Sequence, residues 1–154
     1  MNIILTINVI VAVVFACCYA YQLFFLAVPF TRKQEAHKPE VLHRFAILIC
    51  ARNESAVIAD LLQSIQHHSY DQSLITTFVM ADNCTDNTAQ VAADAGAIVY
   101  RRFNHVQVGK GYALDYLFHQ LTEEGKNDYD GYFVFDADNY VDPNFVKEMN
   151  TVFD

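Results

Sequence analysis

The sequence predicts an α/β fold in which one N-terminal membrane-spanning helix is followed by a mostly parallel sheet with helices on both faces. Three observations carry this. Met1 to Phe30 contains no charged side chain. From Phe45 onward, short continuous apolar runs alternate four times with stretches of helical spacing, the pattern of parallel strands joined by crossover helices. Most of the apolar runs lead directly into a polar motif, and in such sheets ligands bind beyond the carboxyl ends of the strands.

Ile3 to Val28 is long enough to cross a bilayer as a helix, at about 1.5 Å per residue over a hydrocarbon core of about 30 Å. A cleaved signal peptide would place basic residues before a shorter apolar run. Only Met-Asn precedes this one, so residues 1–30 read as a retained anchor. Arg32, Lys33, Lys38 and Arg44 follow the span and nothing basic precedes it, which assigns the remainder to the cytoplasmic side of the cell membrane. Residues 31–44 read as a polar juxtamembrane linker, with His37 and His43 solvated rather than ligating. Cys17 and Cys18 lie in the span, Cys50 ends an apolar run and Cys84 sits in a polar loop. That is neither a disulfide framework nor a metal knuckle. The net charge of −8, without a basic stripe, argues against nucleic acid as a partner.

The domain from residue 45 to 154 opens with Phe45 to Cys50, a buried strand, closed by Ala51-Arg52-Asn53-Glu54-Ser55. A helix follows to about Gln66, with Val57, Ile58, Leu61, Leu62 and Ile65 on one face and His67-His68 at its carbonyl end. A second strand spans Leu74 to Met80 and leads into Ala81-Asp82-Asn83-Cys84-Thr85-Asp86-Asn87-Thr88. Thr85 or Asp86 caps the next helix, which runs from Thr88 to Ala95 and stops at Gly96. Ala97 to Tyr100 forms a short third strand. A helix over Gly111 to Leu121 turns Leu114, Leu117, Phe118 and Leu121 inward, and Asp142-Pro143 begins a last helix.

Between these helices lies Tyr132-Phe133-Val134-Phe135-Asp136-Ala137-Asp138-Asn139-Tyr140. Its apolar half reads as a central strand buried on both faces. Residues two apart on a strand share a face, so Asp136 and Asp138 would converge and raise each other's pKa. A divalent cation resolves that conflict, and oxygen ligands suit Mg²⁺ or Mn²⁺. Asp-x-Asp-Asn is also good turn chemistry, and on these residues alone both readings stand.

Taken in order, the Ala-Arg-Asn-Glu, Ala-Asp-Asn-Cys-Thr-Asp-Asn-Thr, Gly-Lys-Gly-Tyr-Ala-Leu and Phe-Asp-Ala-Asp-Asn motifs after a membrane span resemble the N-terminal half of a family 2 glycosyltransferase. The resemblance covers about Phe45 to Asp154 and implies a Rossmann-like GT-A sheet, truncated here to its donor-binding part. It implies an inverting, metal-dependent transfer from a nucleotide sugar, most simply a UDP-sugar, to a sugar or lipid-linked acceptor in polysaccharide or glycolipid synthesis. By the same resemblance Ala51 and Glu54 line the nucleotide pocket, and Asp82 accepts a hydrogen bond from the base. Lys110 lies by the nucleotide or its phosphates, Asp136 by ribose and metal, and Asp138 on the metal. Many relatives carry Asp where this chain has Ala81. The family's catalytic base, an Asp, is expected beyond Asp154, so no residue here is assigned to catalysis and the chain alone is expected to be inactive.

Two other classes compete. The chain could serve as a membrane-tethered nucleotide-sugar binding or regulatory module without transfer activity. A phosphatase of the haloacid dehalogenase type would use Asp136-Ala137-Asp138 as nucleophile and acid, but that family carries the pair on its first strand, and here it follows the fourth.

Overall fold

The computed structural model describes residues 2–31 and 41–153. The chain divides into two compact units, Met1–His37 and Lys38–Asp154. In the first, helix α1 (Ile3–Thr31) contains a 24-residue stretch, Ile3–Leu26, of mean hydropathy 2.6, long and apolar enough to cross a membrane. Arg32, Lys33, His37 and Lys38 lie outside the described residues.

The second unit is built on strands β1 (Phe45–Ala51), β2 (Ile75–Asp82), β3 (Ile98–Arg102) and β4 (Gly131–Asp136), all parallel, in the order β3-β2-β1-β4. Between them run α2 (Ile58–Gln66), α3 (Thr88–Asp94) and α4 (Lys110–Glu123), and α5 (Phe145–Thr151) follows β4. A short 3-10 turn, Gln72–Leu74, precedes β2, with the Asp71 carboxylate accepting from the Ser73 amide.

Strand alternation sorts the core into two layers. Ile47, Ile49 and Val79 face one way, against Ile58, Leu61, Leu62 and Ile65 of α2 and Ala92 of α3. Ala46, Leu48, Phe78 and Met80 face the other way, against Ala113, Leu117 and Leu121 of α4. Because helices cover both faces, β1 apart from Cys50 and the Phe78 to Ala81 part of β2 are buried, which is why they read as unbroken apolar runs.

Several expectations need correction. The strand leading into Asp136 is not central: among the described residues β4 lies at the edge of the sheet, paired with β1 alone, and Val134 is 43% exposed. On α4 the inner line is Ala113, Leu117 and Leu121, four apart. Phe118 is turned outward, half-covered by an edge-on contact with Tyr132 at 5.3 Å. Helix α2 begins at Ile58, after a turn in which the Glu54 carbonyl accepts from the amides of Val57 and Ile58. Strand β3 continues two residues past Tyr100 to Arg102. Asp142 caps a turn rather than α5 itself, its carboxylate accepting from the Asn144 amide at 2.8 Å.

His43 is part of the packed unit rather than solvated. Its amide donates to Oδ1 of the fully buried Asn150 at 3.1 Å, and its ring lies 4.9 Å from that of Phe153. Tyr70 donates to the same Asn150 oxygen at 2.8 Å, and the Asn150 amide group donates to the Val41 carbonyl. Residues 41–44 are thereby pinned to α5 before β1 begins.

Candidate active site

Because the four strands are parallel, Ala51, Asp82, Arg102 and Asp136 all lie along one margin of the sheet. Alternation selects among them. Counting by twos from Leu48, Met80, Tyr100 and Tyr132, which lie on the α4 side, brings Cys50, Asp82, Arg102 and Asp136 to that same side. Helix α4 starts at this margin. Its cap, Gly109, has φ +126°, a conformation L side chains rarely adopt, and this turn sets Lys110 at the first helical position.

The result is a cavity of about 220 Å³ with Ala51, Glu54, Asp82, Lys110 and Asp136 on its wall, and Cys50 at its floor. The five residues that the resemblance nominates for nucleotide binding therefore share one cavity. Asp138, nominated for the metal, is exposed on a turn beyond the end of β4 and does not line it. Strand spacing does not apply to the Asp136/Asp138 pair, because the strand stops at Asp136. Asn139 closes the turn: its side chain accepts from the Asp136 amide at 2.9 Å, and its own amide donates to the Asp136 carbonyl at 3.1 Å. Among the described residues, no group of three or more His, Cys, Asp or Glu stands close enough to hold a metal.

Two ion pairs set the electrostatics. Asp82 and Arg102 are directly opposed across β2 and β3, and the guanidinium Nη1 donates to Asp82 Oδ1 at 2.6 Å with both residues 5% exposed. Nη2 of Arg102 donates to the Gln107 carbonyl at 2.7 Å, and the guanidinium sits 5.9 Å from the centre of the Tyr116 ring. Arg102 is the site residue that sequence reasoning missed. Its signal was the register: two arginines continue the β3 run past Tyr100, and the second falls opposite Asp82.

The other pair is open to solvent. Lys110 Nζ donates to Asp136 Oδ1 at 2.5 Å, with the side chains 44% and 63% exposed. Burial pushes the Cys50 thiol up to about 11, with Lys110 opposing the rise and Asp82 and Asp136 adding to it.

The loops after β1 and β2 hold each other. Asn53, at φ 58°, accepts from the Thr85 amide at 2.8 Å, and the Glu54 amide donates to Thr88 Oγ1 at 2.8 Å. The Cys84 thiol donates to the Ala51 carbonyl at 3.4 Å. Neither candidate stands at the cap of α3, which is Asn87; Asp86, one residue earlier, accepts from the Thr88 hydroxyl and amide and from the Ser55 amide. These bonds, the Thr88 hydroxyl first, hold its carboxyl down at about 2.

A sequence profile described as "Glycosyltransferase like family 2" matches residues 43–154, the whole of the sheet-bearing unit from His43 onward. The chain belongs to this family. Solved glycosyltransferases share the fold of this family 2 chain at low sequence identity. A mannosyltransferase, PcManGT, from Pyrobaculum calidifontis, in complex with GDP-Man and Mn²⁺, matches at 16% identity and TM-score 0.67 over 93% of this chain and 44% of its own. TarS of S. aureus, residues 1–349 in complex with UDP-GlcNAc, matches at 17% identity and TM-score 0.58, covering 69% of this chain and 30% of its own. Glucosyl-3-phosphoglycerate synthase from Mycobacterium tuberculosis, in complex with Mn²⁺, UDP and phosphoglyceric acid, matches at 24% identity and TM-score 0.52, covering 73% and 39%. No curated protein matches the chain. The family 2 chain thus spans less than half the length of these structures and shares their GT-A-type fold over the part it covers. Membership of this family also removes the phosphatase reading.

Proposed function

We propose that the cavity binds the nucleoside diphosphate of a nucleotide-sugar donor, a UDP-sugar, for transfer with inversion to a sugar or lipid-linked acceptor in polysaccharide or glycolipid synthesis. The observation that carries this is the convergence of Ala51, Glu54, Asp82, Lys110 and Asp136 on one cavity at the carboxyl margin of the sheet, in a chain of this family. In this reading Asp82 accepts a hydrogen bond from an N–H of the base, and Arg102, paired to its other side, aims it. Glu54 and the Ala51 backbone border the nucleoside. Lys110, at the first turn of α4, places positive charge beside the phosphates, where the helix dipole adds to it.

The donor set fits a hard divalent cation. Asp136 and Asp138 are exposed and close in sequence, among the described residues no further protein ligand joins them, and Asp136 already draws an ammonium to its oxygen. Mg²⁺ or Mn²⁺ bound through one or two carboxylates completes its shell with phosphate oxygens and water. When bound, such an ion would stabilise the charge that develops on the departing diphosphate. Asp136 and Asp138 would hold it, and none of the described residues is assigned as the base that takes the acceptor's proton. Helix α1 would anchor the protein in the cell membrane with the cavity on the cytoplasmic side.

Calorimetric titration of UDP tests the reading. UDP should bind better in Mn²⁺ than in chelator, and Asp138→Asn should remove the metal-dependent part alone. Asp82→Asn should weaken UDP equally with and without metal. Equal affinity in metal and chelator, unmoved by Asp138→Asn, would return Asp136 and Asp138 to the role of turn residues.

A further inference from the structure

We infer that Lys110 is a stand-in cation for Asp136: it neutralises that carboxylate when the site is empty, and a divalent ion entering with the diphosphate must displace it. This rests on the donor-site reading above and adds to it an exchange of partners within the site. The ammonium and the carboxylate oxygen are 2.5 Å apart, so Asp136 Oδ1 is taken. A divalent cation bound to that oxygen would take the position the ammonium now holds, and the two like charges would compete for it.

The geometry favours departure of the lysine. Its side chain is 44% exposed, on a flexible four-carbon stem at the first residue of α4, so it can swing without disturbing the buried line of Ala113, Leu117 and Leu121. Asp136 is fixed at the end of β4, its amide held by Asn139. The diphosphate that arrives with the cation offers the freed ammonium a new anionic partner in the same cavity, whose wall already includes Lys110. A cation arriving alone offers none. Metal alone should therefore bind weakly, and metal and UDP should each raise the affinity for the other by the same factor. Lys110 acts here as a positioning residue and takes no part in bond making.

The test uses the full chain in detergent, with Mn²⁺ and UDP as probes. Free Mn²⁺ is read by electron paramagnetic resonance, and UDP by calorimetry at saturating Mn²⁺. Lys110→Ala should bind Mn²⁺ alone about two- to fivefold more tightly, the scale on which an exposed ion pair competes. The same variant should bind UDP in saturating Mn²⁺ more weakly. Lys110→Gln, which keeps the stem and loses the charge, should move both affinities in the same directions, guarding against a folding defect in either variant. A merely structural lysine would lower both affinities or neither. Unchanged or weaker Mn²⁺ binding in both variants, with UDP still bound by the wild type, overturns the exchange and leaves the donor site standing. Failure of the wild type to bind either probe overturns the donor-site reading, and this inference with it.

Discussion

Replacing Arg102 by Met tests the core of the site through stability rather than ligand binding. The Asp82 and Arg102 side chains are 8% and 4% exposed, so the pair is withdrawn from water and little screened. Removing the guanidinium leaves a carboxylate buried beneath the sheet margin with its 2.6 Å partner gone. Breaking a buried pair on one side costs about 3–5 kcal/mol, because the remaining charge is uncompensated. The Gln107 carbonyl also loses its donor, but Gln107 is exposed and water can replace the bond. For a domain of this size each kcal/mol moves the melting temperature by about 4 °C, so Arg102→Met should melt roughly 12–20 °C lower. The double variant Asp82→Asn/Arg102→Met, with no buried charge left, should recover much of that loss, and the cycle should return a coupling energy well above that of a surface pair. Thermal unfolding followed by circular dichroism is sufficient as an assay. A loss below about 1 kcal/mol in the single variant, with no recovery in the double, would mean that Asp82 is solvated in the folded protein and that the pair is not structural.

Three further outcomes are expected. Because the Asp86 carboxyl sits at about 2 in the folded chain, below its ordinary 3.8, the stability it contributes is present above about pH 4 and is lost as pH falls through about 2; melting curves between pH 5 and pH 2 should fall less steeply for Asp86→Asn than for the wild type. Burial holds Cys50 protonated at neutral pH, so alkylation at pH 8, mapped by mass spectrometry, should be much slower at Cys50 than for a free thiol and should accelerate only as pH approaches 11. Protease added to intact cells should leave residues 45–154 uncut, and cleavage there would reverse the proposed orientation of the anchor.

The parts of the fold that were legible in the sequence are those that alternation and continuity determine. Strand β1 and the Phe78 to Ala81 part of β2 announced themselves because helices cover both faces, so every position there is apolar. Parallel strands then place their carboxyl ends on one margin, which was enough to bring Ala51, Glu54, Asp82 and Asp136 together before any contact was seen, while Lys110 was placed there by the family resemblance. What stayed hidden depends on which strands are neighbours. The run Tyr132 to Phe135 is as apolar as a central strand, yet β4 sits at the edge, because sequence order fixes that β4 follows β3 and not that it pairs with β1. His43 looked solvated because its partner, Asn150, lies 107 residues away.

Arg102 shows the same limit at the site itself. Taken locally, two arginines after Ile98-Val99-Tyr100 look like the end of a strand and the start of a solvated loop, since an unpaired guanidinium is rarely buried. The pairing of β2 with β3 removes that objection, because Asp82 occupies the opposed position and satisfies the charge. Burial of Arg102 therefore depends on its pairing with Asp82 in this register. A shift of β3 by one residue would turn Arg102 to the opposite face and set either Arg101 or Phe103 opposite Asp82. The ion pair at the carboxylate proposed to bind the base thus also contributes to the observed register of β3. Variants that neutralise Asp82 should therefore loosen β3 as well as weaken nucleoside binding, and amide hydrogen exchange along Ile98 to Arg102 would separate the two effects.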